Sequence, residues 1–156
     1  MRRGEQRVFN EVLIPSKLGL EKIAMEACER AAEEAGLPPD RTEDLKTAVA
    51  EACINAIEHG NKGDETKSVR VEFLLDDSDL EVVVTDQGAG ISDMAPDPDI
   101  DKKMAGFESA RGMGMFLIRS LVDEVEWVSK PETGSCVRLT MHRNDADGEP
   151  APEKIG

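Results

Sequence analysis

Aromatic side chains are scarce in this sequence: tyrosine is absent, and Phe9, Phe73, Phe107, Phe116 and Trp127 are scattered along the chain. So dispersed a set forms no platform on which successive bases could stack. Cysteine is sparse too. Cys28, Cys53 and Cys136 are odd in number and far apart, with no CxxC pair. That excludes a zinc ribbon, a dithiol redox motif and a disulfide framework. No apolar run is long enough to cross a bilayer, and no leading stretch has the order of a signal peptide, so a cytoplasmic protein is expected. Basic residues are also in short supply, with 19 against 33 acidic ones and a net charge of −14. Such a surface repels phosphate backbones and argues against nucleic acid as a direct partner. A polyanion the size of a nucleotide would have to be held by local devices: backbone amides, a helix N-terminus or a divalent cation.

What remains describes one globular domain. The chain has 156 residues, 39% of them hydrophobic and 33% charged, enough to bury a core without staples. Residues 7–14 read as a first strand ended by Pro15. Ser16 is placed to cap a helix to Ala35, with Leu20, Ile23, Ala24, Ala27 and Ala31 at helical spacing and Gly36 as its stop. After the connector 37–40, a second helix is expected from Thr42 to His59, stopped by Gly60 and buried through Leu45, Ala48, Val49, Ala52, Cys53 and Ala56. Residues 68–75 alternate Val69, Val71, Phe73 and Leu75 inward, and an acidic turn at 76–79 leads back through 80–86 as a hairpin. The irregular stretch 92–110 holds Pro96, Pro98 and four aspartates, and its length suits a functional lid or a disordered loop. A helix then opens at 111–115 and runs to Glu124, and strands 125–130 and 135–142 close the domain, 1–143. Residues 144–156 read as an acidic disordered tail. The expected fold class is α+β: a two-layer α/β sandwich with helices on one face of a mixed sheet.

Three short segments carry chemistry once placed on these elements. In EACINAIEHGN (51–61), Glu51 and Asn55 are four residues apart on one helix and so share a side. They suit either the solvated edge of an amphipathic helix or a site in which Asn55 offers an amide oxygen to Mg²⁺ and Glu51 orients or deprotonates a nucleophile. In Asp86-Gln87-Gly88-Ala89-Gly90, a carboxylate at a strand end can accept from an exocyclic amine, and the glycines permit close backbone approach. The same residues also suit an ordinary turn. They are not the dinucleotide fingerprint, which needs a third glycine and a following helix. In Arg111-Gly112-Met113-Gly114, a glycine-rich helix start offers free amides and roughly half a positive charge to an anion. A hinge is the alternative there. The P-loop pattern is absent. Lys102 and Lys103 read as surface charges.

The order of these segments, more than any one of them, resembles the GHKL ATPase superfamily with its Bergerat ATP-binding fold. Within it the chain is most similar to the anti-sigma-factor serine/threonine kinases of bacterial sporulation and stress responses. EACINAIEHGN resembles that family's N box, DQGAGI its adenine-binding glycine box, RGMGMFLIRSLVDEVEW its second glycine box with the helix behind it, and PETGSCVRLTM its closing hairpin. The match runs from Phe9 to Met141. The resemblance implies ATP and Mg²⁺ as cofactors, with Glu51 as general base and Asn55 as both metal ligand and part of the nucleotide site. It implies that Asp86 holds the adenine amine in a pocket shaped by Gly88 and Gly90, and that Gly112, Met113 and Gly114 run along the phosphates with Arg111 close by.

By the same resemblance the protein sequesters a sigma factor, phosphorylates a serine of an anti-anti-sigma antagonist of the STAS type, and forms a homodimer. One departure stands out. The family often has two small hydroxyl residues after the glycine of the closing hairpin, where this chain has Ser135 and then Cys136. A thiol is the poorer partner for a water beside adenine. Two other readings are carried forward: a nucleotide-dependent partner-binding module without kinase activity, and the ATP-binding part of a histidine kinase. Against the latter, His59 and His142 are the only histidines, and no hairpin bearing a phosphoacceptor histidine fits into the first residues.

Overall fold

The computed structural model describes residues 5–88, 114–130 and 134–143. The expected lid, Gly90, Arg111, Gly112, Met113 and the acidic tail lie outside the described residues. The strands are β1 (Arg7–Pro15), β2 (Ser68–Leu75), β3 (Asp79–Thr85), β4 (Glu124–Lys130) and β5 (Gly134–His142). The helices are α1 (Glu21–Ala35), α2 (Pro39–Asn55) and α3 (114–121), and α2 runs on into a π-helical turn, Ala56–Gly60. The five strands form one sheet in the order β1-β2-β3-β5-β4.

The fold is α+β in two layers, as the sequence implies, but the sheet is not mixed. Every ladder among the described strands is antiparallel. Two causes are visible. The helix pair α1–α2 makes an out-and-back excursion, so β2 returns against β1. Further on, β5 inserts between β3 and β4 and pairs antiparallel with both, which separates the two strands that run the same way.

Burial follows side-chain periodicity. Along β2, Val69, Val71, Phe73 and Leu75 are enclosed while Arg70 between them is exposed. They pack with Leu80, Val82, Leu139 and Met141 of the sheet against Ala24, Ala27, Ala31, Leu45, Ala48 and Val49 of the helices. Alanine on the facing sides of α1 and α2 lets the two backbones approach closely, so the layer fits over a sheet rich in valine. The α1 stripe is rotated from expectation: Cys28, Ala32 and Ala35 are buried, and Ile23 is 42% exposed.

Both helix starts also differ from the reading above. Ser16 does not cap α1, which begins at Glu21 without a side-chain cap. Pro15 still pairs with Ser68. Ser16 then continues that contact: its N–H and its hydroxyl both donate to the Lys67 carbonyl, at 3.2 and 2.7 Å. Helix α2 starts earlier than Thr42, because Pro39 at its first position has φ set for a helix and no amide left to satisfy. At the end of the sheet away from α2's C-terminus, Asp76 folds the β2–β3 turn by accepting from the amides of Ser78 and Asp79, both at 2.7 Å. Arg143 ties that turn to the end of α1, donating to the carbonyls of Asp76 and Ala35.

Burial also separates the three thiols. Desolvation pushes Cys28 up to about 12 and raises Cys53 as well, whereas Cys136 is half-exposed. In the native protein at pH 8, a thiol-exchange reagent should therefore modify Cys136 rapidly, and Cys28 and Cys53 only as fast as the domain opens. Rapid modification of two or three thiols in the folded state would contradict this packing.

Candidate functional site

The C-terminal half of α2 crosses the end of the sheet at which β3 finishes and β5 begins. Helix positions 52, 55 and 56 face that end. There they meet Val84 and Asp86 from β3 and the turn after it, Trp127 from β4, and Ser135, Cys136 and Val137 from β5. Together these residues line an open cleft. The cleft exists because Ala52 and Ala56 stop at Cβ, leaving room between helix and sheet where larger side chains would fill it.

Asp86 is the buried charge of the site, 7% exposed. Its Oδ1 accepts from the amide of Gly88 at 2.9 Å and from that of Ser135 at 3.1 Å. Its own amide donates to the Ser135 carbonyl at 2.9 Å. A carboxylate taken out of water needs such donors, and two on one oxygen fix how the group is turned. The backbone crowds around it. A side chain on Gly60 would collide with the Asp86 carboxylate, one on Gly88 with the Gly60 carbonyl, and one on Gly134 with the Asp86 carbonyl. Gly134 is doubly required, since its φ of 92° lies in the left-handed region.

The second cluster adjoins the first. A Cβ built on Gly114, at the described start of α3, would stand 3.1 Å from Glu51 Oε1 and 3.5 Å from Asn55 Nδ2. The helix start therefore lies directly against the Glu51–Asn55 pair, so residues from three distant segments gather around one cleft. No group of three or more His, Cys, Asp or Glu side chains gathers to hold a metal among the described residues. A cation here would have to rest on the Asn55 amide oxygen and on oxygens brought by a ligand.

Of the predicted site residues, Asn55 and Asp86 line the cleft, and Gly88, Gly114 and Glu51 lie around it. Gly90, Arg111, Gly112 and Met113 lie outside the described residues. Sequence reasoning missed Trp127 as a wall of the cleft, with the Arg119 guanidinium 5.3 Å from its ring centroid. It missed Gly60 and Gly134 as the close neighbours of Asp86, and it left Asn61 without a role. Cys136, doubtful from its chemistry, does line the cleft.

Known proteins resemble this chain along most of its length. A family model described as a histidine kinase-like ATPase domain matches residues 14–141. Serine-protein kinase RsbW of Bacillus licheniformis is 32% identical over 139 residues, 83% of this chain and 81% of that protein. Anti-sigma F factor of Oceanobacillus iheyensis is 36% identical over 103 residues, 65% of this chain and 69% of that one. Among solved structures, the RsbU and RsbW domains of a Mycobacterium tuberculosis protein share the fold, with a TM-score of 0.58 at 16% identity. That match covers 87% of this chain, which spans about a third (34%) of the crystallised one.

The crowding around Asp86 makes a stability prediction. Gly60→Ala should cost about 1–3 kcal/mol by overpacking, because the added methyl can be accommodated only if the carboxylate leaves its two amide donors. Gly60→Ala unfolding in urea at the wild-type midpoint would mean that the carboxylate is free to move.

Proposed function

The chain belongs to the histidine kinase-like ATPase family, and we propose that it is an anti-sigma factor with ATP-dependent protein serine kinase activity. The observation that carries this reading is the convergence on one cleft of a buried, amide-held carboxylate, an acid–amide pair on a helix and a glycine helix start. The names of the relatives, serine-protein kinase and anti-sigma F factor, point the same way.

In this reading ATP enters with its adenine between Ala52 and Ala56 on one side and Val84, Trp127 and Val137 on the other. The exocyclic amine donates to the Asp86 carboxylate, with Gly88 and Gly90 shaping that pocket and Ser135 and Cys136 at its rim. The triphosphate runs toward the start of α3. There the amides of Gly112, Met113 and Gly114 and the side chain of Arg111 offset its charge, as a helix N-terminus does for any anion. Asn55 would hold Mg²⁺ through its amide oxygen, and the bound cation neutralises charge on the phosphate oxygens. A chain with a net charge of −14 depends on such local groups to hold a polyanion at all.

Transfer then needs positioning more than covalent help from the protein. The hydroxyl oxygen of the incoming serine forms the new bond to the γ-phosphorus. The bridging bond to the β-phosphate breaks and ADP leaves, and the serine proton passes to Glu51. The incoming serine belongs to an anti-anti-sigma antagonist of the STAS type. The protein held in check is a sigma factor, and the working unit is a homodimer in the cytoplasm. No helix among the described residues is long and apolar enough to cross a membrane.

The test is label transfer from γ-labelled ATP to a STAS-type antagonist, compared with an antagonist whose serine is replaced by alanine. Transfer to the serine-bearing protein alone is expected. Glu51→Ala should lower the rate about 10²–10⁴-fold while ATP still binds, whereas Asp86→Ala should weaken ATP binding about tenfold or more. Wild-type transfer by Glu51→Ala would remove the base assignment. Tight partner binding with no transfer by the parent protein would replace the kinase with a nucleotide-dependent binding module.

A further inference from the structure

Directly after the π-helical turn, Asn61 is buried at 2% exposure, yet it is absent from the lining of the cleft. Its side chain makes three hydrogen bonds to three different parts of the chain. Oδ1 accepts from the Gln87 amide at 2.7 Å. Nδ2 donates to the Ser16 hydroxyl at 2.8 Å and to the Ser68 carbonyl at 3.1 Å. The partners fix which way the amide points, because a backbone N–H can only donate and a carbonyl can only accept. Ser16 fits the same scheme, since its hydroxyl donates to the Lys67 carbonyl and so accepts from Asn61. Gln87 is tied a second time, its Oε1 accepting from the Ser68 amide at 2.6 Å.

We propose that Asn61 is a positioning residue for nucleotide-base selectivity, anchoring the turn that carries the Asp86 carboxylate to the end of the helix that carries Asn55. The proposal rests on Asp86 being the acceptor for the adenine amine. The Gln87 amide held by Asn61 belongs to the peptide bond that joins Asp86 to Gln87, so the anchor is applied at the residue that must stay still. Gly60, one residue before Asn61, packs its backbone onto the Asp86 carboxylate. The clamp is therefore two-sided, with a close contact from Gly60 and a hydrogen bond from Asn61. Aspartate would set an oxygen against the Ser68 carbonyl, serine is too short to reach three partners, and leucine would leave buried polar groups unmet.

The consequence is read in selectivity. A fixed carboxylate favours adenine, which presents an amine, and opposes guanine, which presents a carbonyl at the corresponding ring position. Releasing the turn weakens both effects together. The experiment titrates ATP and GTP against the fluorescence of Trp127, the single tryptophan and a wall of the cleft. The proteins are the parent, Asn61→Ala, Ser16→Ala and Asp86→Ala, with folding checked by circular dichroism.

Asn61→Ala should raise the ATP Kd about tenfold and lower the preference for ATP over GTP by a similar factor. Ser16→Ala, which removes one of the three partners, should move both quantities the same way by about threefold, and it carries the test should Asn61→Ala not fold. A general loss of structure would weaken ATP and GTP alike and leave their ratio unchanged. An unchanged ratio in the folded variants, alongside a collapsed ratio in Asp86→Ala, overturns the role of Asn61 and leaves the adenine assignment standing. An unchanged ratio in Asp86→Ala overturns that assignment, and the present proposal with it.

Discussion

One buried carboxylate constrains the whole cleft end of this domain. Asp86 is enclosed, and its Oδ1 depends on amides from two places, its own turn at Gly88 and the start of β5 at Ser135. Both donors must be present together, because an ionised group left without partners in the interior is strongly destabilising. The β3–β5 register, in which Thr85 faces Cys136, is therefore coupled to the conformation of the 86–88 turn. The glycines at 60, 88 and 134 follow from the same constraint, since the backbone approaches Asp86 too closely from each of those sides for a side chain to fit. Glycine at these three positions costs conformational entropy on folding, and the amide bonds on Asp86 offset that cost.

From this fixed point the rest of the site is arranged by subtraction. A helix lying on a valine-rich sheet would ordinarily close the space beneath it. Here Ala52 and Ala56 leave the space open, and Val84, Val137 and Trp127 wall it. The polar residues of α2 then occupy the border between helix and opening, with Asn55 on the cleft and Glu51 one turn back, where the start of α3 presses against both. An acidic chain thus sets the start of a helix close to the Glu51 carboxylate. That arrangement suits a site whose ligand brings its own cation and whose reaction needs a proton acceptor near the transferred group.

The parts of this architecture that depend on local periodicity were legible in the residues. The alternation along 68–75 and the stripe Leu45, Ala48, Val49, Ala52, Cys53 and Ala56 are buried as read. The gathering of the 51–61 and 86–88 segments around one cleft, to which Gly114 brings the third, followed from the family resemblance and not from periodicity. What could not be read depends on partners far along the chain. Ser16 obeys a local capping rule on paper, but in the fold it answers to Lys67 and Asn61, the latter 45 residues away. The direction of the sheet was hidden for the same reason, since only the insertion of β5 separates β3 from β4. Trp127 looked isolated because its neighbours in the cleft come from α2, β3 and β5. Gly60 looked like a helix stop, but it lies within the π-helical turn, which Asn61 caps, and its missing side chain makes room for Asp86.

The π-helical turn explains how one helix can serve both the cleft and the 86–88 turn beside it. Asn55 must face the cleft, and Gly60 and Asn61 must face the 86–88 turn beside it. In a continuing α-helix, five residues advance the chain about 1.4 turns, which would swing Gly60 well round from Asn55. Between Ala56 and Gly60 the helix widens instead, closing with a bond from the Asn61 amide to the Ala56 carbonyl at 2.8 Å, five residues back. The wider turn brings Gly60 back toward the side that Asn55 already occupies. Such insertions weaken a helix locally and are found mostly at functional sites. Here the weakened turn is braced from outside by the Gln87 amide, the Ser16 hydroxyl and the Ser68 carbonyl, all gathered on Asn61. The irregular turn and the buried asparagine are thus one device: the first aims the end of α2 at Asp86, and the second holds it there.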